Sequence, residues 1–216
     1  MSNTDLFTST SAGQPLPEAS REVLAHQWRQ LAEPGTWWTA QERIDIAAVA
    51  RAAYRNLPEP TASSIEEVTK RAARMVATDA GNITKETVDG FVADGLSDLH
   101  YVELVGIVAR TTAIDTATVG LGNGLEEYLD AQPGQPSNSV SASAKKRSAW
   151  VPMVGAAGAT SALSAVQKED RAQEQLHGAL YLSYFEMGNL SIDKGIDRTQ
   201  MELLAARTSL RNHCYF

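Results

Sequence analysis

The chain has 216 residues, 43% of them hydrophobic and 21% charged, and a formal net charge of -7. That length can bury a sizeable core in one or two domains. The acidic balance argues against non-specific nucleic-acid binding, which needs a basic surface, and no apolar run approaches the ~20 residues needed to span a bilayer.

The N-terminus has no basic region followed by an apolar one, so no secretory signal is expected. A single cysteine excludes an internal disulfide framework. The expected compartment is the cytoplasm, where a thiol stays reduced.

Residues 1–17 are polar, with Ser, Thr, Gly and Pro, and predict a disordered tail. Val23, Leu24, Trp28 and Leu31 then fall at helical spacing, which predicts a helix up to Ala32. Glu33-Pro34-Gly35 stops it. Thr39-Ala40-Gln41-Glu42 is a capping box opening a helix that ends near Leu57-Pro58. Ser63-Ser64-Ile65-Glu66 predicts another start of the same kind, running to about Thr78. A turn at 79–82 leads to a short helix from Thr84 to Asp94, closed by Gly95. Ser97 caps a long helix that reaches Val119 and ends in the glycines from Gly120 to Gly124.

Residues 131–149 change character, with Pro, Gly, Ser and the run Lys145-Lys146-Arg147, and predict a linker or a long surface loop. Trp150-Val151-Pro152-Met153 is apolar but Pro-interrupted and not an ordinary helix. Ser164 to Met187 has a helical pattern, and Asp197-Arg198-Thr199-Gln200 caps a final helix. No strand of alternating β-branched residues is found, so the fold class is all-α. The expected organisation is a tail (1–17), a first helical half (18–130), a linker (131–149) and a second half (150–216). There is an internal echo. Glu103-Leu104-Val105-Gly106 lies ninety-nine positions before Glu202-Leu203-Leu204-Ala205, and twelve residues onward come Asp115 and Cys214 respectively.

The run from Glu202 through Arg207-Thr208-Ser209-Leu210-Arg211-Asn212-His213-Cys214 resembles the alkylhydroperoxidase D-like, or carboxymuconolactone decarboxylase, family. So does Tyr101 to Arg110. Trp37-Trp38-Thr39 with Glu42-Arg43 and the Pro-rich linker look like the longer two-part members. The resemblance implies an all-helical, oligomeric bundle of two related halves and no cofactor. It implies a small hydroperoxide as substrate, a thiol as reductant, and no nucleic-acid or membrane partner. By that resemblance Cys214 corresponds to the peroxide-attacking cysteine and Glu202 to the relay carboxylate. The family's second cysteine and following histidine have no counterpart here, because Cys-x-x-Cys would be completed just past Phe216. Either the motif was lost or the chain is a shortened copy of an active one, and the second half is then C-terminally incomplete. The activity expected of this form is therefore weak or absent. Alternatives are a non-catalytic oligomeric helical protein, or a cofactor-free decarboxylase using Glu103 or Glu202.

The chemistry sets conditions. A thiolate attacks a hydroperoxide and becomes a sulfenic acid, and a second thiol then forms a disulfide. Twelve residues of straight helix span ~18 Å, so Glu202 and Cys214 act together only if the chain turns, with Ser209 to Asn212 the expected place. His26, His100 and His177 are scattered and read as surface or satisfied core residues. Trp28, Trp37, Trp38 and Trp150 read as core or interface anchors.

Overall fold

The computed structural model describes residues 6–7, 13–156 and 158–212. Seven α-helices lie among the described residues, with no strand beyond two isolated bridges. The helices are α1 (Glu18–Leu31), α2 (Ala40–Arg55), α3 (Glu67–Thr78), α4 (Lys85–Ala93), α5 (Asp98–Gly120), α6 (Gln167–Leu180) and α7 (Arg198–Arg211). The chain is all-α.

Local chemistry explains most of the starts. The Thr39 hydroxyl accepts from the Glu42 amide while the Glu42 carboxylate accepts from the Thr39 amide at 2.8 Å, which opens α2. Ser97 caps α5, and Asp197 with Gln200 forms a capping box on α7. At α3 the expected serine cap does not form. Ser64 gives its hydroxyl to Asp45 at 2.7 Å, and the helix begins at Glu67 without a side-chain cap. Asn56 ends α2 in the left-handed conformation, at φ 54°.

The 23-residue α5 is the central element, packed against α2, α3 and α6, and α6 also packs on α1. Leu104, Ile107 and Ile114 of α5 are wholly buried beside Leu24 and Trp28 of α1 and Ile46 of α2. Leu176 of α6 belongs to the same core. The expected second half therefore completes the core of the first.

Two segments expected to be loose are engaged. Leu6 and Phe7 of the expected tail are buried in the core, with the Phe7 ring edge-on to Trp28 at 6.3 Å. Residues 131–149 are tied to the α1–α2 turn by backbone bonds from Gln132 to Ala32, Ser137 to Gly35 and Asn138 to Thr36. Paired backbone groups hold this segment down without any apolar periodicity. By contrast α7 buries only Met201 and leaves Leu203, Leu204 and Leu210 exposed. No described helix is long and apolar enough to cross a membrane.

Candidate functional site

Four charged side chains meet inside the bundle. Arg43 of α2 donates to Glu103 of α5 and, at 2.9 Å, to Glu169 of α6, while Arg110 of α5 donates to Glu169 at 2.6 Å. None is more than 1% exposed. Glu103 also accepts from the amides of Thr36 at 3.1 Å and Trp37 at 2.6 Å. The turn comes this close because residue 35 is glycine: a Cβ there would lie 1.7 Å from Glu103 Oε1. Burial drives the Glu103 carboxyl up from its ordinary value, against Arg43 beside it. Burial also penalises Glu169, but Arg110 and Arg43 together outweigh it and hold that carboxyl low. Two Arg and two Glu in mutual contact offer a substrate no entry, so the network is structural.

Asp115, which the internal echo aligned with Cys214, is likewise in a structural pair. It takes both ends of the Arg51 guanidinium at 2.8 and 2.7 Å. That guanidinium stands 4.3 Å from the Tyr128 ring centre and 5.0 Å from that of Trp28.

A groove of about 1220 Å³ runs between α1, α6 and α7. Val23, Met201 and Leu204 give it apolar walls, and His177, Tyr181 and Lys194 give it polar ones. The Tyr181 hydroxyl donates to Glu202 Oε1 at 2.7 Å, and Arg198 Nε donates to the same oxygen at 2.7 Å. Glu202 is about half exposed, at 49% of its side chain. The bond from Tyr181, and then Arg198, hold its carboxyl below the ordinary value. Burial and the bond to Glu202 push the Tyr181 phenol up. This pair stays carboxylate and phenol at neutral pH and serves as a fixed hydrogen bond.

His177 was not singled out by sequence spacing, yet it lines the groove. Its Nδ1 contacts the Leu182 carbonyl, which can only accept, so Nδ1 carries the proton and Nε2 is the basic nitrogen. Nε2 has no partner among the described residues. Tyr181 packs edge-on to the His177 ring at 5.4 Å. The signal in the sequence was only that His177 and Tyr181 are four apart at the end of one helical pattern.

Of the two predicted site residues, Glu202 lies beside this groove and Cys214 lies outside the described residues. Thr208 and Ser209 line the groove; α7 stays helical through Arg211, and the chain from 213 onward, which would complete the expected bend, lies outside the described residues. Among the described residues, no group of His, Cys, Asp and Glu has a geometry that could hold a metal ion. No protein-family model, no curated protein and no solved structure matches this chain.

Proposed function

We propose that the chain is an alkylhydroperoxidase D-like thiol protein that reduces small organic hydroperoxides slowly, with Cys214 as nucleophile and the α1–α6–α7 groove as substrate site. The observation that carries this reading is His177 Nε2, without a partner among the described residues, in a partly apolar groove whose wall includes Ser209, five residues before the only cysteine. The resemblance implies a histidine on the turn after the cysteine pair; His213, which precedes Cys214, is not at that position, and His177 offers that chemistry from another helix.

The step balances as follows. His177 Nε2 takes the Cys214 thiol proton. The thiolate sulfur attacks the outer peroxide oxygen, the O–O bond breaks, and the sulfur becomes a sulfenic acid. The alkoxide leaves with the proton returned by the imidazolium. Within these 216 residues there is no second cysteine. A small external thiol therefore condenses with the sulfenic acid, releasing water, and a second one reduces the mixed disulfide. Dependence on that external thiol makes the turnover slow. Tyr181 and Glu202 fix the wall of the site.

The test is consumption of cumene hydroperoxide with glutathione as reductant. Wild type should turn over, Cys214→Ser should not, and His177→Gln should fall by about 10²-fold or more, the usual weight of a general base. Equal rates for wild type and Cys214→Ser would overturn the reading.

A second reading rests on α7. Leu203 and Leu210, one heptad apart, are 60% and 79% exposed, and in the segment between α6 and α7 Phe185 and Leu190 are 93% and 78% exposed. Such a stripe on a lightly packed helix suits self-association of identical chains, because one patch can meet its own copy about a twofold axis. Sedimentation should show an oligomer that Leu203→Glu/Leu210→Glu converts to monomer; a monomeric wild type would remove this reading.

A further inference from the structure

A second concave site shares no lining residue with the groove. It is a cavity of about 500 Å³ between the start of α5 and the strap formed by residues 145–164. That volume lies within the ~300–1,000 Å³ usual for small-molecule sites. Its walls include Val102 and Val105 of α5, Val88 of α4, and Trp150, Met153 and Leu163 of the strap. None of the residues lining it carries a charge.

The strap is built to stay across this space. Lys145 and Met153 exchange two backbone hydrogen bonds at 3.0 and 3.1 Å. The Val154 amide donates to the Ser164 hydroxyl at 2.9 Å, and that hydroxyl donates to the Ser161 carbonyl at 2.6 Å. Lys146 Nζ reaches Asp98, at the first turn of α5, at 3.2 Å. Leu163, Val166 and Val102 form a small apolar cluster at the base of the strap, separate from the main core. The strap therefore roofs the cavity from one side, tied to itself by these bonds and to α5 by Lys146.

One phenol joins the hydrocarbon wall. Tyr101 lines the cavity and is 6% exposed, yet its hydroxyl has no hydrogen-bond partner among the described residues. Burial pushes its pKa up to about 12, so it stays a neutral donor. A hydrocarbon wall with one phenol, and no cation for an acid or anion for an amine, is selective in a simple way.

We propose that this cavity binds an uncharged, mainly hydrocarbon small molecule bearing one hydrogen-bond-accepting oxygen, held by the Tyr101 hydroxyl. A carboxylate of the same chain length is disfavoured, because its charge would be desolvated with no counter-ion.

The test uses the fluorescent neutral probe N-phenyl-1-naphthylamine on the full chain. It should bind saturably with a stoichiometry of one. The ketone 2-nonanone should displace it at least tenfold more effectively than nonanoate at neutral pH. Ala162→Phe from the strap and Val105→Phe from α5 fill the space from opposite walls, and either folded variant should lose the probe. Tyr101→Phe should weaken 2-nonanone about five- to tenfold and leave the probe nearly unchanged. No saturable binding, probe binding that survives both filling variants, equal competition by nonanoate, or an unaltered ketone in Tyr101→Phe would each overturn the proposal. Far-ultraviolet circular dichroism confirms the fold of each variant. Should both filling variants unfold, the ketone-to-carboxylate ratio and Tyr101→Phe decide it.

Discussion

Arg110 and Glu169 face each other across the α5–α6 interface at 2.6 Å, each 1% exposed, and this pair joins segments 59 residues apart in the sequence. Arg43 supports Glu169 from the other side. Removing one member strands the others in a medium that cannot solvate them. Arg110→Met is expected to cost about 3–5 kcal/mol, the range for a broken buried pair. Replacing all four charges with apolar residues of similar volume should recover much of that loss. Urea denaturation of the single and fourfold variants checks both halves. A single variant as stable as wild type would mean that the pair does not hold the helices together.

Two glycines make opposite predictions. Gly106 lies in α5 directly beneath Glu169, where an added Cβ would come 2.6 Å from Glu169 Cβ. Glu169 is gripped by two guanidiniums and has little freedom to shift. Gly106→Ala should therefore lose about 1–2 kcal/mol, since overpacking outweighs the ~1 kcal/mol helix-propensity gain. Gly90 in α4 has nothing within 4 Å of the same position. Gly90→Ala should gain up to about 1 kcal/mol from propensity alone. Thermal denaturation of the two variants should move in opposite directions.

The contrast between caps and contacts explains what the sequence could tell. Thr39, Ser97 and Asp197 act on amides three residues away, so their patterns are readable in a short window. Ser64 carries the same pattern, but its hydroxyl goes to Asp45, nineteen residues back. Only the packing of α2 against α3 reveals that competitor. The helix pattern gave the all-α class for the same local reason. The ionic network was invisible because Arg43 is 60 residues from Glu103 and 126 from Glu169. Residues 131–149 read as a linker because backbone amides anchor them, and backbone amides leave no mark on side-chain composition. At the candidate site, the family resemblance pointed to Glu202. It could not point to His177, whose place in the groove depends on how α6 and α7 approach each other.

The turn between α6 and α7 should respond to acid. Glu186 accepts from the Ser183 amide at 2.7 Å and from Lys194 at 3.0 Å. The Ser183 amide, then Lys194, hold its carboxyl down at about 2. A depressed carboxyl contributes stability that is complete above its unfolded value, ~4.3, and is lost as pH falls through the folded value. Protection of amides 183–195 from hydrogen exchange, corrected for intrinsic rates, should therefore hold near neutrality and decline from about pH 4 toward 2. In Glu186→Gln that decline should be absent and the protection low throughout. An identical acid profile in both proteins would show that Glu186 does not order this turn.

The Tyr181–Glu202 bond gives the groove its most direct probe. It ties the residue that follows α6 to the second turn of α7, while Arg198 holds the same carboxylate from within α7. Tyr181→Phe removes the larger of the two influences that keep Glu202 low, so its carboxyl should titrate closer to the ordinary value. Carbon-13 NMR of the Glu202 side chain measures this directly. The same variant should also loosen α7, which buries only Met201 and has few other ties. Faster exchange at amides of α7, with α5 unchanged, is the expected pattern. If Glu202 titrates alike in both proteins, the phenol and carboxylate are not joined, and Tyr181 no longer counts as a fixed wall beside His177.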